Sequence, residues 1–212
     1  MTISQAYNAW SQQYDNMINR TRDVEARAVR DIFKHDNFEK ILEIGCGTGK
    51  NTEWYLQKAQ QVVGVDFSAD MLAKAREKIT SPQAQFIEAD ITETWQFEHN
   101  SFDLVAFSLV LEHIEQLDFI FAQAQRVLKK NGRIYLGELH PFKQYQGSKA
   151  RFETTNGDVF VLDCFLHHVS DYCAAAQKQG LSILSIQEWF DEPTVENSPI
   201  PRILSLVFEK KN

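Results

Sequence analysis

The sequence predicts a doubly wound α/β fold, and three observations carry that prediction. Short apolar runs of strand length recur between residues 40 and 139, helix-like stretches separate them, and a glycine-rich turn stands directly behind the first run. Alternating strand and helix means parallel strands joined by right-handed crossovers, with helices covering both faces of a twisted sheet.

Residues 3 to 36 mix apolar and charged positions at helical spacing. Within "DVEARAVRDIFKH", Val24, Ala28, Ile32 and Phe33 share one face and predict an N-terminal helical segment. The strands expected next are "KILEI" (40–44), "QVVGVD" (61–66), "AQFIEAD" (84–90), "FDLVAFS" (102–108) and "RIYLGEL" (133–139). Between them lie "NTEWYLQKA", "SADMLAKAREKI" with Ser68 as cap and Asp70 in the first turn, and "LDFIFAQAQRVLKK", stopped at Asn131-Gly132.

After residue 140 the alternation breaks. "RFETTNGDVFVL" sets Asn156-Gly157 between two alternating segments, a hairpin signal that predicts an antiparallel insertion. A helix over "SDYCAAAQKQG", capped by Ser170 or Asp171 and ended at Gly180, precedes two strand-like runs, "LSILSIQEWF" and "RILSLVFEKK", expected to finish the sheet as a hairpin. "DEPTVENSPIPR" (191–202), which holds three of the five prolines, reads as a surface connection.

With 212 residues and 43% hydrophobic content, one domain with a sizeable core is expected. The formal net charge is -7 and no Lys/Arg-rich run appears, which argues against nucleic-acid or anionic-membrane partners. Cys46, Cys164 and Cys173 have no metal-ligand spacing and suit reduced thiols, so no disulfide is expected. "MTISQAYNAWSQQYD" has neither a basic start nor an apolar core, and no run of eighteen uncharged apolar residues occurs; a soluble, cytoplasmic chain is expected.

The turn "ILEIGCGTGKNT" (41–52) removes side chains where a helix N-terminus offers free N–H groups, so backbone can approach a nucleotide-like or anionic ligand closely. In the dinucleotide fingerprint a third glycine lets strand and helix pack beneath a pyrophosphate; here that position is Lys50. Glu43, Gly45, Gly47 and Gly49 stand instead, with Asp66 about twenty residues after the first glycine, where a carboxylate can accept two ribose hydroxyls. The pattern is an adenosine-ribose grip without a pyrophosphate.

Four stretches, "LEIGCGTGKNT", "VVGVDFSADMLAKAR", "QFIEADI" and "FDLVAFSLVLEHIEQLDFIFAQAQRVLKKNGRIYLGE", resemble in order and spacing the class I S-adenosylmethionine-dependent methyltransferases, in particular the small-molecule group related to the ubiquinone/menaquinone methyltransferases. The resemblance implies a Rossmann-like seven-stranded sheet with the last strand antiparallel and the cofactor across the carboxyl ends of the first strands. It divides the chain into an N-terminal helical lid (1–36), a cofactor-binding core (37–139), a substrate-side insertion (140–168) and a C-terminal helix and hairpin (169–212). It also implies that Gly45 to Gly49, with Cys46 as a small loop residue, pass the methionine and ribose part. Asp66 would hold the ribose, Phe67 and Met71 flank the adenine, Asp90 and Ile91 meet its amino edge, and Ser108 and Leu109 lie beside the sulfonium or amino-acid portion.

"AYNAWSQQYDNMINRTRD" resembles the lid of these relatives, where an aromatic covers the cofactor and a basic residue pairs with its carboxylate; Tyr14 and Arg22, or Arg20, fit those roles. Tyr7, Trp10 and Tyr14 either face the substrate or simply dock the helix. His113 either lines the pocket or packs. His140, at the end of the fifth strand, is the candidate base, since a neutral imidazole accepts a proton near neutral pH. Phe142, Tyr145 and Arg151 follow it as candidate acceptor contacts. His167 and His168 would face opposite ways on a strand, so one at most, taken as His168, is functional. The motif for nucleobase amino groups is absent, no metal site can be assigned, and a small-molecule methyl acceptor is expected, for a monomer or homodimer; protein methylation and cofactor binding without catalysis are the alternatives.

Overall fold

The computed structural model describes residues 7, 8, 11, 14, 15, 17–148, 151–153, 159–162, 164–191 and 200–211, with only the backbone of 151–153, 159 and 160. Helix α1 (Arg20–Ile32) leads into β1 (Phe38–Ile44), α2 (Thr52–Tyr55), β2 (Ala59–Asp66), α3 (Ala69–Lys78), β3 (Ala84–Glu88), β4 (Phe102–Ser108), α4 (Leu117–Val127) and β5 (Leu128–Leu139). Then come α5 (Pro141–Tyr145), the short strands β6 (Arg151–Glu153) and β7 (Val159–Val161), α6 (Val169–Lys178), β8 (Leu181–Trp189) and β9 (Ile203–Lys210).

Seven strands form one sheet in the order β3-β2-β1-β4-β5-β9-β8. The first five run parallel, and the last strand, β9, is antiparallel to both neighbours. β6 and β7 pair separately and antiparallel; the Asn156-Gly157 turn joining them lies outside the described residues.

Side-chain alternation along the strands builds two cores. Leu42, Ile44, Val105, Phe107, Ile134 and Leu136 point to the face covered by α4 and α6. Ile41, Leu104, Ala106, Tyr135 and Val207 point to the other, against Val29 of α1, Phe33 at its C-cap and Tyr55 of α2. Truncating a side chain as enclosed as Phe33 or Tyr135 to alanine would cost about 3–5 kcal/mol.

Two boundaries differ from expectation. α4 ends at Val127, and the chain passes directly into β5 at Leu128, so Asn131-Gly132 is a bulge within a strand. Asn131 takes φ 60, and the β4–β5 register slips between Phe102 and Leu104 to absorb the extra residues. The N-cap of α6 is His168, not Ser170 or Asp171; the Asp171 carboxylate accepts from the His168 amide at 2.7 Å.

The chain leaves β1 toward β2 and β3 on one side and returns to β4 on the other. That reversal opens a crevice at the carboxyl ends of β1 and β4. Among the described residues no helix is long and apolar enough to cross a membrane.

Candidate active site

The turn after β1 reaches the crevice through backbone that L-residues avoid: Gly45, Gly47 and Gly49 have φ of 68, 53 and 81. A Cβ on Gly45 would lie 2.3 Å from Val110 Cγ2, so sterics as well as dihedral require glycine there. Gly45 and Cys46 donate amide hydrogens to the Val65 carbonyl at 2.7 and 3.0 Å, tying the turn to β2. At the end of β2 the buried Asp66 carboxylate accepts from the Gly47 amide and the Ser68 amide, both at 2.9 Å. Burial pushes this carboxyl above its ordinary value while these backbone donors pull it back.

A cleft of about 660 Å³ opens above these groups. Gly45, Gly47, Asp66, Phe67, Met71, Asp90, Ile91, Ser108 and Leu109 line it, and Tyr7, Tyr14 and His113 stand at its walls as well. The Tyr7 hydroxyl is 3.0 Å from His113 Nε2, and its ring meets Phe67 edge-on with centroids 5.8 Å apart. The expected glycine loop, acids, apolar flanks and aromatic lid therefore converge on one place. Gly49 does not line the cleft; it turns the chain against Ile79.

Leu109 has φ 58, rare for an L-residue with a long side chain. A buried clamp holds it there: Glu138 Oε1, from β5, accepts from the amides of Val110 and Leu111 at 3.2 and 3.1 Å. Burial pushes the Glu138 carboxyl up to about 8, so it is largely protonated at neutral pH.

Beside the cleft a second pocket is lined by Tyr14, Arg22, Glu25, Glu43, Cys46 and Asn51, with Ser108 between the two. The Arg22 guanidinium lies 4.0 Å over the Tyr14 ring and donates through Nη2 to the Met17 carbonyl at 3.0 Å, while its buried Nε has no hydrogen-bond partner among the described residues. Glu25, 2% exposed, accepts from Ser108 Oγ at 2.6 Å, Asn51 Nδ2 at 2.9 Å and the Tyr135 hydroxyl at 3.1 Å. Asn51 Oδ1 is buried without a hydrogen-bond partner among the described residues. Sequence reading missed Glu25 and Asn51; the available signal was an acid placed between Val24 and Ala28 on the apolar face of a helix. Arg20 lines neither pocket, whereas Arg22 lines the second.

Other candidates lie elsewhere. His140 is the N-cap of α5: its Nδ1 accepts from the Phe142 amide at 3.1 Å and its Nε2 sits 3.1 Å from Glu188 Oε1. With both nitrogens engaged and no place on the cleft wall, the imidazole is not set as a base. Phe142 and Tyr145 are exposed, and the Tyr145 hydroxyl meets His168 Nδ1 at 2.6 Å on the surface. His167 is buried against the Ile114 carbonyl at 2.7 Å. Trp10 lies outside the described residues, and of Arg151 only the backbone, paired with Val161, is described.

Residues 42–136 match the model of a family described as a methyltransferase domain. The matched stretch runs from β1 to β5 and contains the glycine turn, Asp66, Asp90, Ser108 and Leu109 of the cleft. The chain is 27% identical over 166 residues to phosphatidylethanolamine N-methyltransferase of Cereibacter sphaeroides, covering 73% of this chain and 79% of that one. It is 33% identical over 104 residues to demethylmenaquinone methyltransferase of Renibacterium salmoninarum, over 49% of this chain; that match spans 43% of the relative's length. Among solved structures, a putative S-adenosylmethionine dependent methyltransferase from Listeria monocytogenes shares the fold at a TM-score of 0.77 and 21% identity, covering 90% of this chain and 98% of that one.

Proposed function

We propose that the protein transfers a methyl group from S-adenosylmethionine to a small, partly apolar molecule. The observation that carries this reading is the cleft itself, with Asp66 and the glycine turn on one wall and the aromatic lid of Tyr7 and Tyr14 across from them.

The residues present fit the cofactor. Asp66 would hold the ribose hydroxyls, Phe67 and Met71 would flank the adenine, and Asp90 with Ile91 would meet its amino edge. The unpartnered Arg22 Nε suits the cofactor's carboxylate, and the unpartnered Asn51 Oδ1, beside buried Glu25 and Ser108, suits its ammonium. When bound, the cofactor supplies an electrophilic methyl on a sulfonium. The chain's own work is positional: the Glu138 clamp fixes Leu109 and the turn to His113, and Tyr7 closes the cleft against water by packing on Phe67 and His113. His113, 3.0 Å from the Tyr7 hydroxyl, is the imidazole that lines the cleft and replaces His140 as candidate proton acceptor.

The small-molecule reading is supported by an apolar-lined cleft enclosed by side chains and by the relatives' names, which specify a phospholipid and a quinone precursor. Its test is transfer of labelled methyl from S-adenosylmethionine into a cell extract, separated by size afterwards. Label in organic-soluble small molecules is expected. Label in macromolecules alone would establish the protein-methylating alternative in its place.

A further inference from the structure

A larger opening of about 1250 Å³ shares Tyr7, Tyr14 and Leu109 with the cleft and is lined further by residues of the lid and of α5. Met17, Ile18, Leu109 and Leu139 give it apolar walls, and Ile18 is 93% exposed although it is an aliphatic side chain. Its charged lining is Arg22, Lys143 and Arg202 against one carboxylate, Glu112. The chain as a whole carries a formal net charge of -7, so this cation excess runs against the composition.

The three cations are not equivalent. Arg22 is held by Tyr14 and the Met17 carbonyl and turns its free Nε to the methionine end of the cofactor site. Arg202 forks onto Asp191 at 2.5 and 2.6 Å and reaches Thr21 Oγ1 at 3.1 Å. Lys143 forms no ion pair with a described residue. Its field does reach Asp191, which Arg202 first and Lys143 after it hold below the usual carboxylate range. The backbone around it is fixed: His140 caps α5, and the His140 amide donates to the Arg202 carbonyl at 2.8 Å. Glu112 does not oppose an anion strongly, because burial pushes its carboxyl up to about 7.

We propose that the methyl acceptor is an amphiphilic acid, its carboxylate or phosphate held by the Lys143 ammonium and its apolar body lying along Leu109, Leu139 and the lid. This rests on the methyl-transfer reading above and names the class of acceptor for that site. His140 then acts as a positioning residue, setting α5 and with it Lys143.

The test is calorimetric titration of the protein saturated with S-adenosylhomocysteine, using octanoate, octyl phosphate and uncharged octanamide as probes. At least one acid should bind about tenfold or more tightly than octanamide, as one charge-assisted contact provides, and the preference should weaken with added salt. Which of the two acids is preferred identifies the headgroup. Lys143→Met should abolish the preference without changing S-adenosylhomocysteine affinity, and Lys143→Arg should restore it. Octanamide binding as tightly as both acids, no binding by any probe, or a preference that survives in Lys143→Met would overturn the proposal. Failure of S-adenosylhomocysteine itself to bind would instead overturn the cofactor reading, and the acid preference would then be read on the free protein by the same comparison.

Discussion

The Asp66 carboxylate accepts the Gly47 amide hydrogen at 2.9 Å, which holds the acidic end of β2 and the turn behind β1 as one unit. The site is therefore organised before any ligand arrives. The second Asp66 oxygen accepts from Ser68, whose hydroxyl in turn accepts from the Met71 amide and caps α3. The ribose candidate and the adenine candidates are consequently linked through backbone.

Glu138 should tolerate glutamine and not alanine. Its Oε1 satisfies two amides next to the strained Leu109, and its carboxyl is largely protonated at pH 7, so Gln keeps both the acceptor oxygen and the charge state. Glu138→Ala orphans one buried and one half-buried donor and should cost about 2–4 kcal/mol, whereas Glu138→Gln should stay within about 1 kcal/mol. Denaturant unfolding of both variants checks this.

Glu43 makes stability depend on pH. Burial is the largest cause that pushes its carboxyl up to about 8, from an ordinary value near 4.5. A folded-state value above the unfolded one means the folded form holds the proton more tightly. The contribution is thus fully present below about 4.5 and lost as pH rises through about 8. The thermal midpoint should fall between about pH 5 and pH 8, and Glu43→Gln should flatten that slope; the same decline in the variant would reassign it to other groups.

His140 should behave as a cap. Asparagine at an N-cap supplies an equivalent acceptor, so His140→Asn should retain methyl transfer, while His140→Ala should lose about 1 kcal/mol of stability. Loss of transfer in His140→Asn at unchanged stability would restore the catalytic reading.

Much of the fold was legible because the strands are buried apolar runs and the glycine turn must use positive φ, both of which are properties of residue type. The cleft was legible for the same reason: Gly45, Gly47 and Asp66 are placed by the first two strands alone. What escaped depends on tertiary neighbours. Glu25 and Glu138 look like ordinary charges until α1 and β5 bury them, and Asn131-Gly132 reads as a helix stop unless β4 is there to pair with Leu128. The place of His140 at a strand end suggests a base, whereas the Pro141 that follows is a helix-start signal and makes the capping role readable.

The most direct measurement is calorimetric binding of S-adenosylhomocysteine to the wild-type protein and to Asp66→Ala. The wild type should bind one equivalent, and the variant should bind roughly 10- to 100-fold more weakly, as expected for losing a hydrogen-bonded charge of about 1.5–3 kcal/mol. Equal affinity in the two proteins, or none in the wild type, would contradict the assignment of this cleft to the cofactor.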